Sequence, residues 1–458
     1  MTHFFKLNQY YIAVDGNSGS IHELDEVSFT LLKPYEKMPL LEDLHTRFGD
    51  QYDYETIRNI HSEIKSLVEQ NLLYTEEKYL LEVISDKKIN HSMKAICLHI
   101  AHDCNLKCKY CFAAEGDYKT GKKLMSLEIA KKSVDYLIAN SKGRKKLEID
   151  FFGGEPLLNF DVVKETVLYA KSLESIHNKS FYFTITTNGV LLTEEISDFI
   201  NDNMDNIVIS IDGRRETHDA IRFDLAGNGS YSRIVPKAQK LLSNRKEKSY
   251  FVRGTFTREN MDFSKDVMHL ADLGFKEISV EPVVGTGMSL HFAESDIDII
   301  NAEYENLALQ YISRLEGSEP FRFYHFNINI FDGPCVHKRI TACGAGSEYF
   351  AISPEGDLYP CHQFVGEEDF LVGNVFDGIT NHKLGETLSN TSVLTKDDCK
   401  KCWAKLFCSG GCHANAFFSN GSIDKPNSIS CALQRKRIEC AIMIQLWKNE
   451  NSHKIIQL

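Results

Sequence analysis

The chain has 458 residues, 43% hydrophobic and 25% charged, which is ordinary globular composition and excludes a largely disordered chain; at about 150 residues per domain it has room for roughly three. With 52 Lys and Arg against 64 Asp and Glu, the net charge of -12 opposes non-specific binding to nucleic acid or to an anionic membrane. No run approaches the roughly 18 apolar residues of a membrane span, and residues 1–16 lack the basic start and apolar stretch of a signal peptide, so a soluble cytoplasmic protein is expected.

Residues 1–90 read as a separate module. Phe4–Val14 and Ser20–Leu24 are strand-like runs around the turn Asp15–Gly19, which predicts a β-hairpin. Amphipathic helices are expected near 26–35 and 54–73, the second capped by Asp53. The pattern suits a winged-helix-like binding module, or else a packing cap on the next domain, and Ser85–His91 reads as a charged linker.

Over residues 91–310 strands and helices alternate. Apolar or β-branched runs occur at Ala95–Ala101, Leu147–Phe152, Phe181–Thr187, Asn206–Ile211, Tyr250–Phe256 and Glu277–Val283, with helical segments such as Leu127–Ala139 and Phe160–Glu174 between them. Six β/α units predict an α/β fold with a parallel sheet curved like part of a TIM barrel, and chemistry at the C-terminal ends of its strands. A helix is expected near 296–315, and residues 311–334 connect. Residues 335–458 are Gly- and Cys-rich and end in a helix near 432–447; such a segment needs metal to hold it together.

Thirteen cysteines are many for a reducing compartment, which favours metal ligation over disulfides. Cys104, Cys108 and Cys111 follow the first strand with C-x3-C-x2-C spacing. Three thiolates on one tight loop can hold three irons of a [4Fe–4S] cube and leave the fourth open; zinc, which wants four protein ligands, is the weaker reading. The second array is Cys399-x2-Cys402-x5-Cys408-x3-Cys412 with Cys431 beyond it, preceded by Cys343, Gly356 and Cys361. The segment Cys399–Cys408 alone could bind zinc.

The first spacing, on the first strand of a β/α barrel, resembles the radical S-adenosylmethionine (SAM) superfamily. Other strand ends are similar to that family's SAM site. Gly153-Gly154-Glu155-Pro156 looks like the GGEP motif, in which Glu155 and backbone groups would receive the methionyl ammonium. Thr187, Asn188, Ser210 and Asp212 stand where relatives touch ribose and carboxylate, and Arg222 where a bidentate partner of the methionyl carboxylate is expected. Val280, Pro282 and Val283 would line the adenine, with Tyr110 packed nearby.

The second array resembles the SPASM extension of radical SAM enzymes that modify peptides, which carries two auxiliary [4Fe–4S] clusters. The resemblance implies Cys399, Cys402, Cys408 and Cys431 as ligands of the second auxiliary cluster. It implies Cys343, Cys361 and Cys412 for the first, with Cys335 as the fourth; an absent Cys335 would leave an open iron for a substrate thiolate. Cys97 and Cys440 remain as small buried hydrophobes.

In the sulfatase-maturing relatives an Asp base follows the cysteine aligned with Cys361; here His362 stands there, a candidate to handle a thiol proton or to support the cluster ligand. The wording of residues 14–25, 97–104, 150–156, 252–258 and 402–412 looks like the SCIFF maturases, which make thioether bonds in Cys-rich peptides of the ranthipeptide kind. That resemblance implies three [4Fe–4S] clusters and SAM as cofactors. The Cys104/Cys108/Cys111 cluster would cleave SAM to a 5′-deoxyadenosyl radical, which removes hydrogen from the peptide. Residues 1–90 would bind the leader of the Cys-rich precursor as an added strand, and a ferredoxin or flavodoxin would supply electrons. Epimerisation, carbon–carbon cross-linking or sulfatase-type maturation are the rival chemistries, and a non-catalytic iron–sulfur peptide sensor is the rival from another class.

Overall fold

The computed structural model describes residues 1–77, 92–285, 289–330 and 343–452. The charged linker expected at Ser85–His91 therefore lies outside the described residues. The N-terminal module opens with three antiparallel strands, β1 Thr2–Leu7, β2 Tyr10–Asp15 and β3 Ile21–Leu24, in the order β1-β2-β3. The single strand expected over Phe4–Val14 is in fact two, because Asn8 turns the chain in the left-handed region at φ 53°; asparagine tolerates that conformation.

Helices α1 Glu26–Leu32, α2 Leu41–Phe48 and α3 Tyr54–Glu69 follow. Asp25 and Asp53 cap α1 and α3, each accepting a backbone N–H at 2.9 Å. The second helix was not expected. Its one buried face, Leu44 and Phe48, is too short a stripe to read in sequence.

The module is fixed to the C-terminal part. His3 stacks on Trp403 with ring centroids 4.2 Å apart and bonds Glu439 at 2.8 Å. The Tyr10 hydroxyl donates to Glu450 at 2.6 Å, and the buried Lys405 ammonium donates to Asn17 at 2.6 Å.

The main sheet is built on six parallel strands at the expected places: β4 Ala95–His102, β7 Lys146–Gly153, β8 Ser180–Thr187, β9 Asn206–Ser210, β11 Ser249–Phe256 and β12 Glu277–Pro282. Short strands intervene at β5 Leu106–Cys108, β6 Lys123–Leu124 and β10 Arg222–Asp224, and β5 pairs β10. The parallel order β12-β11-β9-β8-β7-β4 is that of a partial barrel. β4 is buried along its whole length, as a strand covered on both faces must be. The helix Ile297–Glu316 runs without a break past residue 310 and packs on the C-terminal helix Ser428–Glu450.

The barrel sheet does not stop at β4. Beyond β13 Arg322–Phe323 on the opposite edge, β14 Tyr349–Ile352 from the Cys-rich segment pairs parallel with β4, Tyr349 opposite Ala95 and Ile352 opposite Leu98. β15 Asp357–Tyr359, β16 Gly373–Asn374 and β17 Gly378–Ile379 extend it antiparallel. Among the described residues no helix is long and apolar enough to cross a membrane.

Candidate functional site

At the C-terminal ends of the barrel strands lies a cavity of about 450 Å³. A larger recess of about 670 Å³ sits at the opposite ends, around Ser249, Tyr250 and Glu277, but holds neither cysteine nor histidine; the chemistry lies in the first.

One wall is the loop of Cys104, Cys108 and Cys111, all of which line the cavity. Two close approaches shape that wall. Gly153 has φ 124°, and a Cβ there would fall 2.3 Å from the Ala101 carbonyl oxygen; a Cβ on Gly154 would fall 2.2 Å from that of Asp103. Only glycines let β7 end this close to the cysteine loop. The amide of Asn188 donates to Asn105 at 2.8 Å and lies 3.7 Å from the Cys104 sulfur, and the Arg222 guanidinium lies 3.7 Å from the Cys108 sulfur.

Burial, reinforced by Glu155 and the other thiols, pushes Cys104 up to about 12, and burial raises Cys108 to about 11 against the pull of the Arg222 charge. Thiols that suppress one another's ionisation suit a cationic group that would replace their protons. No described cysteine is in a disulfide. The residues fit an iron–sulfur cluster.

Of the expected SAM contacts, Tyr110, Gly153, Gly154, Thr187, Asn188, Ser210, Arg222, Pro282 and Val283 line this cavity, and so does His362. Four residues do not. The buried Glu155 carboxylate is occupied by the Thr187 hydroxyl at 2.7 Å and by the backbone N–H groups of Asn188 and Leu157 at 2.8 and 3.0 Å. It ties the ends of β7 and β8 together. Burial lifts it to about 7 against those hydrogen bonds.

Asp212 is likewise internal. It accepts the Tyr110 hydroxyl at 2.8 Å, Arg222 Nε at 3.0 Å and the Thr255 N–H at 3.0 Å, so it aims Arg222 and Tyr110 instead of facing a ligand. Val280 points out of the lumen, because alternation along β12 turns Glu281 inward in its place. Pro156 starts the buried turn Pro156–Asn159.

Sequence reasoning missed the polar lumen. Arg253 on β11 pairs with Glu281 on β12, and both line the cavity. Burial opposes the Glu281 charge, but Arg253, His325 and Arg437 hold its carboxyl down to about 2. Asp150, Thr184 and Tyr349 line it too, and so does Cys97, 2% exposed. Alternation along the strands could have pointed to Asp150 and Arg253, since each is a charge set within a largely apolar run. Burial, with Arg253 close by, lowers His362 to about 4 and keeps it neutral; its ring lies 5.0 Å from that of Phe152.

The second cysteine array gathers as two sets. Cys399, Cys402, Cys408 and Cys431 line one cavity of about 500 Å³. Burial and the neighbouring thiols push Cys431 up to about 12, a donor set that fits a cluster. Among the described residues no three Cys, His, Asp or Glu side chains converge on a single metal ion; the four thiols surround a space. Cys361, Cys412 and Cys343 are mutual electrostatic neighbours elsewhere. Cys335 lies outside the described residues. Cys440 is fully buried, in the core of the last helix.

The helices Asp397–Lys400 and Lys405–Cys408 have four residues each, too few to stand alone. Removing iron with a chelator is therefore expected to speed amide exchange over residues 397–412 by about a hundredfold, while the middle of Ser428–Glu450 stays protected. Hydrogen-exchange mass spectrometry of the loaded and stripped protein checks this.

Residues 98–287 match the radical SAM superfamily and residues 343–403 the SPASM iron–sulfur cluster-binding domain. The chain carries a radical SAM domain and a SPASM domain. Its cofactors are SAM and [4Fe–4S] clusters. The radical SAM cyclopropyl synthase TigE of Paramaledivibacter caminithermalis is 23% identical over 86% of this chain and 84% of its own. A cysteine-type anaerobic sulfatase-maturating enzyme of Clostridium perfringens is 26% identical over 68% and 85%. Streptococcus suis SuiB, solved with its precursor peptide SuiA, superimposes with a TM-score of 0.52 at 16% identity, over 94% of this chain and 99% of that one. The radical SAM match spans the six barrel strands, and the SPASM match begins at Cys343 and ends just past Cys402.

Proposed function

We propose that the protein installs thioether links between a cysteine and an acceptor carbon of a ribosomally made, Cys-rich precursor peptide. The observation that carries this reading is one cavity with two kinds of wall: the Cys104/Cys108/Cys111 loop on one side, and His362, next to Cys361, on the other. The buried Tyr118 lies within the field of Cys104, Cys111 and Cys361 together. A peptide in this space would meet SAM and the first auxiliary thiol set together. Cys104, Cys108 and Cys111 would hold the SAM-cleaving cluster, Cys343, Cys361 and Cys412 the first auxiliary cluster, and Cys399, Cys402, Cys408 and Cys431 the second.

When bound, these groups supply the electron that cleaves SAM to a hydrogen-abstracting radical, and take up the electron released as the C–S bond forms. The protein's own share is placement. Arg222, held by Asp212, presents a fixed guanidinium to the methionyl carboxylate. Gly153 and Gly154 admit the ligand against backbone, and Phe112, Phe152 and Val283 exclude water from the lumen. The N-terminal module would take the leader on the open edge of β3 and raise the local concentration of the core peptide. A ferredoxin or flavodoxin would be the electron donor.

Co-expression with each short Cys-rich reading frame encoded beside the gene tests this. The expected result is loss of two hydrogens per link together with a cysteine that no longer alkylates. The same mass loss with a thiol that still alkylates would favour carbon–carbon bond formation, the chemistry for which TigE is named.

A further inference from the structure

Among the described residues four carboxylates stand around the barrel lumen, and three are fully committed. Glu155 holds three donors, Asp212 holds Tyr110, Arg222 and a backbone N–H, and Glu281 holds Arg253. The fourth, Asp150, lines the cavity, and among the described residues the Thr184 hydroxyl is its one side-chain hydrogen-bond partner. Its place in the sheet explains why. Cys97 on β4, Asp150 on β7 and Thr184 on β8 stand in register as one row across three parallel strands. The row lies three residues behind Gly153 and Thr187, about 10 Å deeper at roughly 3.3 Å per residue. The strand-end residues expected to meet SAM lie above it, so the row is free for a different occupant.

The groups facing Asp150 are few. Cys97 presents a thiol and Tyr349 on β14 a hydroxyl, which lies 3.5 Å from His362 Nδ1. Lys94 and Glu148, toward the start of the strands, pair with each other at 3.0 Å. No cation is paired with Asp150 among the described residues.

Resting on the thioether reading, we propose that Asp150 is the base that takes the thiol proton of the peptide cysteine being linked. The S–H bond breaks, an O–H bond forms on the carboxylate, and the electron pair stays on sulfur to bond the peptide carbon. The surplus electron of that bond goes to the auxiliary iron–sulfur clusters. Burial and the Glu148 charge raise Asp150 to about 7, near the pH at which a base accepts and releases a proton readily.

The test uses the cluster-loaded protein and the peptide that the wild type processes in co-expression. Asp150→Asn is expected to slow linking by about 10²–10³-fold, with Asp150→Glu within about tenfold of wild type. Wild-type linking should rise with pH through about 7 and level off, whereas Asp150→Asn should keep rising toward the free-thiol value of about 8.5. Independently of turnover, the carboxyl infrared intensity that titrates near pH 7, which Asp150 shares with Glu155, should fall by about half in Asp150→Asn. Linking by Asp150→Asn at the wild-type rate, a slower rate with an unchanged pH profile, or a titrating band undiminished in Asp150→Asn would each overturn the assignment. If Asp150→Asn fails to fold, the pH profile of Asp150→Glu decides: a shift supports the base, and none overturns it. A wild type that links no peptide sinks the thioether reading, and the base with it.

Discussion

Replacing Cys104, Cys108 and Cys111 together by alanine is expected to abolish 5′-deoxyadenosine release, a fall of more than about 10³-fold. The three thiols stand on one loop against the cavity, and no other described cysteine but Cys97, one strand layer deeper, reaches that space. Alanine at all three positions removes every candidate ligand while leaving Gly153, Gly154 and Arg222 in place. Iron should fall by about a third, because the thiol sets around Cys343 and Cys431 are untouched. Anaerobic reconstitution, reduction by dithionite and mass spectrometry of the nucleoside measure the release, and a colorimetric iron assay measures the loss of iron. Continued release from the triple variant would show that the radical chemistry starts elsewhere.

The second large effect concerns Arg222. Its guanidinium is the charge partner of Asp212, which is fully buried, and its plane sits 5.4 Å from the centre of the Tyr110 ring. Burial works against the arginine charge, but Asp212, Tyr110 and Cys108 hold it protonated. Arg222→Met would strand the carboxylate, at a cost of about 3–5 kcal/mol, and would remove the expected carboxylate partner of SAM. The double variant Arg222→Met/Asp212→Asn should recover most of the stability, since the buried charge is then gone. It should not recover SAM binding. Denaturant titration and SAM binding by calorimetry on the two variants separate the roles; recovered binding in the double variant would mean that Arg222 only supports the fold.

The six barrel strands were legible because each is a short apolar or β-branched run between helical segments, and the structure moves their ends by no more than one residue. Cysteine spacing was equally informative. Side-chain direction was not. Glu155 and Asp212 were read as ligand contacts from their positions at strand ends, yet both turn into the frame behind the cavity, where donors from neighbouring strands outnumber anything a ligand offers. Four of these six donors, on Thr187, Asn188, Thr255 and Tyr110, come from residues 32 to 102 places away in sequence, and no local pattern announces them. The same limit hid the lumen row of Cys97, Asp150 and Thr184, which exists only once three strands lie in register. The pairing of β14 with β4 joins residues some 250 positions apart, and a four-residue strand has too little pattern to reveal its neighbour.

That pairing bears on how such proteins can be recombined. The Cys-rich segment meets the barrel through a ladder of backbone hydrogen bonds at Tyr349–Ile352, not through a hinge. A hybrid that takes its C-terminal part from a relative must therefore bring a strand whose register and side chains fit the open edge at Ala95–Leu98. A join after residue 352 would keep the native strand and exchange only what hangs from it, while a join before residue 349 would leave the barrel with an unmatched edge. Evolution of new C-terminal arrangements in this architecture is constrained at the seam, and free beyond it.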